Sequence, residues 1–432
     1  MTNIHKAITL YDIQDAVSID TPVDSNSKFY ENLTPYRSDF TDKKIFRQLN
    51  INPKTSECNP LKSSKKIFLS GYRGTGKTSE LLTLKNKIDE TKCYLTIFVD
   101  ISEEELDTAN IETVDILILM LEKLIEALEK KGADISDDVI SDFYDWYKTK
   151  IVKEVNESLK GSAQIELKAE SKVSLLSFSS LVANTKAKLQ GSIESKKVIR
   201  QEINNNFKMF SMKFNEFIHS LVQQLREKEH YKDLLFIIDG FEKIGSLNDR
   251  KKILVDDSNK LTIIESHMLI ALPIELFTEK NRLSHFSFTE NFPLIDLSID
   301  GAKECFKNFI LKRVDEKLFA KDAIEMIVEF GAGHPRQTLQ IINRAYFEAD
   351  EILDTDSIKK AIQILGNELS KVSPDELKIL KDINNNVLLA EDDCYTKLKA
   401  KNIVFEYGDD KVTINPVVLE NKKFKILLNQ DA

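Results

Sequence analysis

Between Gly71 and Thr78 the chain reads Gly-Tyr-Arg-Gly-Thr-Gly-Lys-Thr. This matches G-x-x-x-x-G-K-[ST] in full, a pattern whose chemistry is triphosphate binding. The glycines let the backbone curl, so that N–H groups across Gly71, Tyr72, Arg73, Gly74, Thr75, Gly76, Lys77, Thr78 and Ser79 can turn inward on phosphate oxygens. A helix starting there adds its dipole. Lys77 is then a mobile point charge for the β- and γ-phosphates, and the Thr78 hydroxyl a ligand for Mg²⁺.

Two further groups fit the same chemistry. Leu234-Leu235-Phe236-Ile237-Ile238-Asp239 is an apolar run closed by an acid, which can steady Mg²⁺ beside the phosphate turn. Glu242 is the next carboxylate. It is a candidate to orient or deprotonate the attacking water, the alternative being a solvated carboxylate at a helix start. In Gly331-Ala332-Gly333-His334-Pro335-Arg336-Gln337, glycines end one helix and Pro335 opens another. His334, Pro335 and Arg336 would stand at a helix N-terminus facing the nucleotide, with Arg336 sensing the γ-phosphate. The alternative is an exposed arginine in a plain helical turn.

These residues need a scaffold. KKIFLS, the glycine turn and SELLTLKNKI read as strand, turn and helix. Buried strands are expected at Cys93–Ser102, Asp233–Gly240, His267–Pro273 and Phe292–Ile299. Alternation with helices predicts an α/β fold: a parallel five-stranded sheet with helices on both faces. Helical spacing runs over residues 111–131, and a helix is expected near Thr41–Leu49. Residues 132–230 read as a helical insertion, with an alternating, hairpin-like stretch around Ile165, Leu167 and Ala169. Tyr144, Trp146 and Tyr147 sit on a helix there and read as packing. The expected organisation is a loose N-terminal segment (1–60), a core (61–300), a helical lid (301–370) and a winged helix (371–432), whose hairpin turns at Gly408-Asp409-Asp410.

Composition narrows the class. The chain has 432 residues, 30% charged and 42% hydrophobic, with 61 basic against 70 acidic side chains and a net charge of −9. That balance excludes a protein that coats nucleic acid with its whole surface. The longest apolar run, Ile116 to Leu121, falls far short of the ~20 residues of a membrane span. The N-terminus lacks a signal-peptide pattern. Cys58, Cys93, Cys305 and Cys394 lie far apart, which predicts neither a metal ribbon nor a disulfide scaffold and fits a reducing cytoplasm. The six histidines make no metal-ligand spacing, and no G-x-S-x-G occurs.

With those elements in place, the chain resembles the AAA+ and STAND P-loop ATPases. Asp239-Gly240-Phe241-Glu242 is similar to the Asp-Gly-apolar-acidic signature of NACHT-type STAND proteins. Gly333-His334-Pro335-Arg336 followed by a winged helix resembles the origin-recognition/Cdc6 branch, as does Pro35-Tyr36-Arg37, which there lies by the adenine. The resemblance implies a P-loop NTPase core with ATP and Mg²⁺ as cofactors, ATP hydrolysis, Arg37 at the nucleotide and homo-oligomerisation. It is closest to ATPases of bacterial anti-phage defence modules, which implies a co-encoded effector as partner and the cytoplasm as location. Strand four ends Ile270-Ala271-Leu272-Pro273, without the polar sensor usual in such families. Arg250 and Arg282, around strand four, are candidate arginine fingers with a surface arginine as the alternative, and Arg200 in the insertion could approach the nucleotide.

Two functions follow, with a third reading, a nucleotide-binding scaffold that hydrolyses slowly or not at all, resting on the missing polar sensor and the displaced Glu242. One is a nucleotide switch that signals to an oligomer or an effector. The other is a DNA-dependent ATPase that reads DNA through Thr396–Asn402, a segment with three lysines preceded by Glu391, Asp392 and Asp393.

Overall fold

The computed structural model describes residues 5–19, 21–102, 106–133, 135–159, 164–165, 173–229, 231–281, 288–387, 392–408 and 411–429. Five strands form one parallel sheet: β1 (Lys66–Gly71), β2 (Tyr94–Asp100), β3 (Asp233–Asp239), β4 (His267–Pro273) and β5 (Phe288–Asn291). Their spatial order is β2-β3-β4-β1-β5. The strands are apolar runs because both faces are covered. Period-two alternation still divides them: Leu235 and Ile237 enter one core, Leu234, Phe236 and Ile238 the other.

The first face packs on helix α1 (Asp42–Gln48), through Ile45 and Phe46, and on helix α2 (Lys77–Thr91), through Leu81, Leu84 and Ile88. The second packs on α3 (Thr113–Lys131) and, through it, on the insertion. The insertion contains α4 (Asp137–Trp146), α5 (Leu175–Leu189), α6 (Ile193–Asn205) and α7 (Phe207–Gln224). Phe143 is its hub, with ring centroids 5.3 Å from Phe178 and about 6 Å from Phe210, Phe214 and Phe217. Tyr144 and Tyr147 are buried beside it, as packing residues should be. Of the expected alternating stretch only Ile165 is described, and it is buried; Leu167 and Ala169 lie outside the described residues.

The lid comprises α8 (Ala302–Leu311), α9 (Ala323–Gly331), α10 (Pro335–Glu348) and α11 (Thr355–Leu369). Ala7, Ile13, Ala16 and Val17 are buried in its core, so residues 7–17 are tied to the lid. A further core belongs to α12 (Pro374–Asn384), α13 (Asp393–Ala400) and the antiparallel hairpin β6 (Val404–Glu406) and β7 (Val412–Ile414). Helix, helix and wing follow in the expected order. The turn residues Asp409 and Asp410 lie outside the described residues.

Two expectations are corrected. The fifth strand is Phe288–Asn291, and the predicted run Phe292–Ile299 leaves the sheet after Phe292 donates to the Ser70 carbonyl. Pro293 has no N–H to continue the ladder. The run is apolar because it threads between cores: Phe292 meets Phe40 (4.9 Å), Leu294 packs with Tyr72 and Phe405, and Ile295 enters the lid. Second, Cys58 and Cys93 form a disulfide, with Cα atoms 6.1 Å apart. The bond spans 35 positions of sequence and ties together the ends of the segment that carries β1, the glycine turn and α2. Separation along the chain was the wrong measure, and cysteine usage no longer argues for a reducing compartment.

Phe143→Ala is expected to cost about 3–5 kcal/mol, because the six neighbouring rings cannot close the gap. Denaturant unfolding of the full chain reads this as a lowered midpoint for the insertion. A loss below about 1 kcal/mol would contradict the packing described.

Candidate functional site: the glycine loop and its cleft

After Gly71 the chain leaves the sheet, turns through Tyr72–Gly76 and enters α2 at Lys77. Gly74 (φ +88°) and Gly76 (φ +94°) hold the left-handed backbone that such a turn requires. Gly74 also has no room for a side chain. A Cβ there would stand 2.6 Å from the Arg336 Cβ and 2.8 Å from His334 Cε1. The lid helix α10 therefore rests directly on the loop, and the Arg336 N–H donates to the Gly74 carbonyl (3.2 Å).

Lys77 is buried. Its ammonium donates to the carbonyls of Gly71 and Tyr72, both at 2.8 Å, and lies 3.8 Å from Glu242 Oε2. The Thr78 side chain lies beside the Asp239 carboxylate at the end of β3 and acts to lower its pKa. Asp239 is 1% exposed, and its Oδ1 has no protein partner. Burial, and then the neighbouring Glu242 charge, raises the Asp239 carboxyl above the usual carboxylate range. The Thr78 hydroxyl and the unpartnered Asp239 oxygen are groups of the kind that could hold a small hard cation.

Arg37 braces the loop from the other side. It donates to the Thr75 carbonyl (2.7 Å) and the Pro293 carbonyl, and its guanidinium lies 3.9 Å over the Phe292 ring. Burial lowers it to about 10, so it stays charged at neutral pH.

An open cleft runs along the loop. Gly74, Thr75, Gly76, Lys77, Thr78, Ser79, Arg37, Asp239, Glu242, Pro335 and Arg336 all line it. Gly71, Tyr72, Arg73 and His334 do not; they stand behind the loop. The Tyr72 hydroxyl accepts from the Glu406 N–H of the wing (3.0 Å), and its ring meets Phe405 edge-on (6.0 Å). His334 Nδ1 accepts from the Gln337 N–H (3.1 Å), capping α10. That leaves its Nε2 to carry the proton and donate to the Arg73 carbonyl (3.0 Å). The ring stacks on Phe405 at 5.7 Å. Burial first, then the Arg336 charge, lowers His334 to about 4, so it is neutral at pH 7. Lid and wing are further locked by a reciprocal amide pair, Gln337 with Asn415 (2.7 and 3.1 Å).

Sequence reasoning missed the far wall. Residues 21–34 form a strap between α2 and α8. Val23 N–H donates to Ser79 Oγ (3.1 Å), Asp24 accepts from Asn86 (3.0 Å), and the Phe29 carbonyl accepts from Arg313 (3.1 Å). With Ile19, Phe29, Leu33 and Leu339 the strap gives this end of the cleft an apolar lining. The buried spacing of Ile13, Ala16 and Val17 was the available signal. Of the arginines weighed from sequence, Arg200 is spent on Asp115 (2.6 Å) inside the insertion and Arg250 on Glu275 (2.7 Å). Arg282 lies outside the described residues.

A parallel sheet of order β2-β3-β4-β1-β5, with the glycine loop after β1 and the acid closing β3, defines an α/β fold of the P-loop NTPase kind. No family model matches the chain, and comparison with curated proteins finds no match. Among solved structures the chain is similar to the Aeropyrum pernix Orc1 protein in complex with DNA. The identity is 10% and the TM-score 0.36, over 93% of each chain.

Two measurements check this geometry. Phe405→Ala should destabilise the docked wing by about 3–5 kcal/mol and expose residues 371–429 to protease first. An unchanged digestion pattern would contradict the docking. Second, a buried neutral histidine binds its proton less readily folded than unfolded. Its stabilising contribution is therefore complete above its ordinary value of 6.5 and is lost as pH falls toward about 4. His334→Asn keeps a side-chain acceptor for the cap. It should lose less stability between pH 7 and pH 4.5 than the wild type, and an equal loss would contradict the assignment.

Proposed function

We propose that this chain is an ATP-binding and hydrolysing molecular switch that couples its nucleotide state to oligomerisation or to a partner effector. The observation that carries the reading is that Lys77, Thr78 and the buried Asp239 line one cleft, with one Asp239 carboxylate oxygen left without a protein partner. In this reading Thr78 and Asp239 hold Mg²⁺, which would supply positive charge to the β- and γ-phosphate oxygens. Lys77 leaves the carbonyls of Gly71 and Tyr72 for the phosphates. Glu242 orients the attacking water and accepts its proton. Arg336 senses the γ-phosphate, and Arg37 fixes the loop that receives it.

The switch reading draws on what stands behind the loop. Tyr72 and Arg73 are gripped by the wing and by His334, so a change of loop conformation is felt by lid and wing together. In this reading the helical insertion serves as the partner or oligomer surface. The resemblance to anti-phage ATPases names the setting, with a co-encoded effector in the cytoplasm. No helix among the described residues is long and apolar enough to cross a membrane.

The placement of the lysines in Thr396–Asn402 favours protein contact over DNA reading. Of its three lysines, Lys397 is exposed, but Lys399 is 1% exposed against Glu406 and Lys401 pairs with Glu376 at 2.5 Å. The latter two lysines are spent within the domain and release few counterions on a phosphate backbone.

Lys77→Ala should reduce ATP affinity at least ~100-fold in calorimetry on the full chain, since a charge-assisted phosphate contact is lost. Its thermal unfolding should remain cooperative. Wild-type affinity in the variant would refute the reading. Duplex DNA should leave the ATPase rate unchanged at low salt, and a stimulation that fades with salt would favour the DNA-dependent alternative.

A further inference from the structure

Five cations line the cleft among the described residues: Arg37, Lys77, Lys243, Arg313 and Arg336. Arg37 donates to the carbonyls of Thr75 and Pro293. Arg313 donates to those of Phe29 and Phe309 and lies 4.0 Å over the Phe309 ring, at the apolar end. Lys77 belongs to the loop, and Arg336 is held by its helix against Gly74. Lys243 is held differently. It ends the short turn Phe241–Lys243 that follows Asp239 and Gly240, and it is exposed. Its ammonium donates to the Ser102 hydroxyl at 2.9 Å.

That resting place is built at the hydrolytic end of the cleft. Ser102 is fixed by Asp100, whose Oδ1 accepts the Ser102 N–H (2.8 Å) and its hydroxyl. Asp100 closes β2 directly opposite Asp239 in the sheet register. The two strand ends touch: a Cβ on Gly240 would be 2.9 Å from Asp100 Oδ1. Asp100, Ser102, Asp239, Glu242 and Lys243 thus share one wall.

We propose that Lys243 is a catalytic cation supplied by the same chain, which leaves Ser102 to contact the γ-phosphoryl oxygens as ATP is hydrolysed. This rests on the ATPase reading above and adds to it. A lysine head on a flexible stem exchanges a neutral hydroxyl for a multiply charged phosphate without disturbing the fold. In the step, the water oxygen bonds to the γ-phosphorus as the bond to the β–γ bridging oxygen breaks. That electron pair leaves on ADP, and the water proton passes to Glu242 and then to the phosphate product. Charge shifts onto the bridging and γ-oxygens, where a cation aimed from the Asp239–Glu242 wall stabilises it. Hydrolysis then needs no arginine from a neighbouring subunit.

The test compares wild type with Lys243→Gln and Lys243→Arg by steady-state ATPase over a hundredfold range of protein concentration, with ATP affinity measured by calorimetry. The expected result is a kcat about 100-fold lower for Lys243→Gln, the loss typical of one transition-state donor. ATP affinity should change less than about threefold, and Lys243→Arg should recover most of the rate. Wild-type turnover per chain should not depend on protein concentration. An unchanged kcat in Lys243→Gln overturns this inference and leaves the ATPase reading standing. So does wild-type turnover that rises with concentration, which would point to a cation from a neighbouring copy. A wild type that binds ATP without any turnover overturns both.

Discussion

The structure turns on a backbone of five residues that cannot hold its shape alone. From Tyr72 to Gly76 the chain forms neither strand nor helix, and two of its residues have positive φ. Three groups from distant parts of the sequence hold it. Arg37 takes the Thr75 carbonyl, the Arg336 N–H takes Gly74, and the His334 ring takes Arg73. Each partner satisfies a carbonyl that a phosphate-cradling turn, with its N–H groups aimed inward, must point outward. The loop is the place where the N-terminal segment, the sheet and the lid meet, with the wing reaching it through Tyr72.

This arrangement gives the loop two sides with different jobs. The inner side is polar and open to the cleft, where Lys77, Thr78 and Asp239 gather. Lys77 and Asp239 are held short of satisfaction there: one sits on loop carbonyls, the other has an oxygen with no protein partner. The outer side is closed by aromatic packing of Tyr72, His334, Phe405 and Tyr407. Such packing is close to all-or-none, so it transmits small displacements instead of absorbing them. Polar demand inside and stiff packing outside are what the proposed switch requires.

Much of this was legible in the sequence, for local reasons. The glycine turn, the acid after five apolar residues and the Gly-x-Pro-Arg turn each fix their own backbone within a few residues, and strand and helix spacing did the rest. What escaped depends on contacts between remote segments. Glu406 meets Tyr72 across 334 positions, and Phe292–Ile295 is apolar because three cores close around it, which mimics a strand in one dimension. Tyr72, inside the phosphate pattern, looked like a nucleotide contact but turns outward to the wing. Cys58 and Cys93 meet because the sheet brings a loop to the start of β2, which no spacing rule records.

The most direct test is a crystal structure of the full chain with Mg²⁺ and a non-hydrolysable ATP analogue. The account predicts a triphosphate seated on Gly74–Thr78, a metal ion between the Thr78 hydroxyl and Asp239, and the Lys77 ammonium moved from the carbonyls of Gly71 and Tyr72 to phosphate. A nucleotide bound elsewhere, with Lys77 still on those carbonyls, would contradict it.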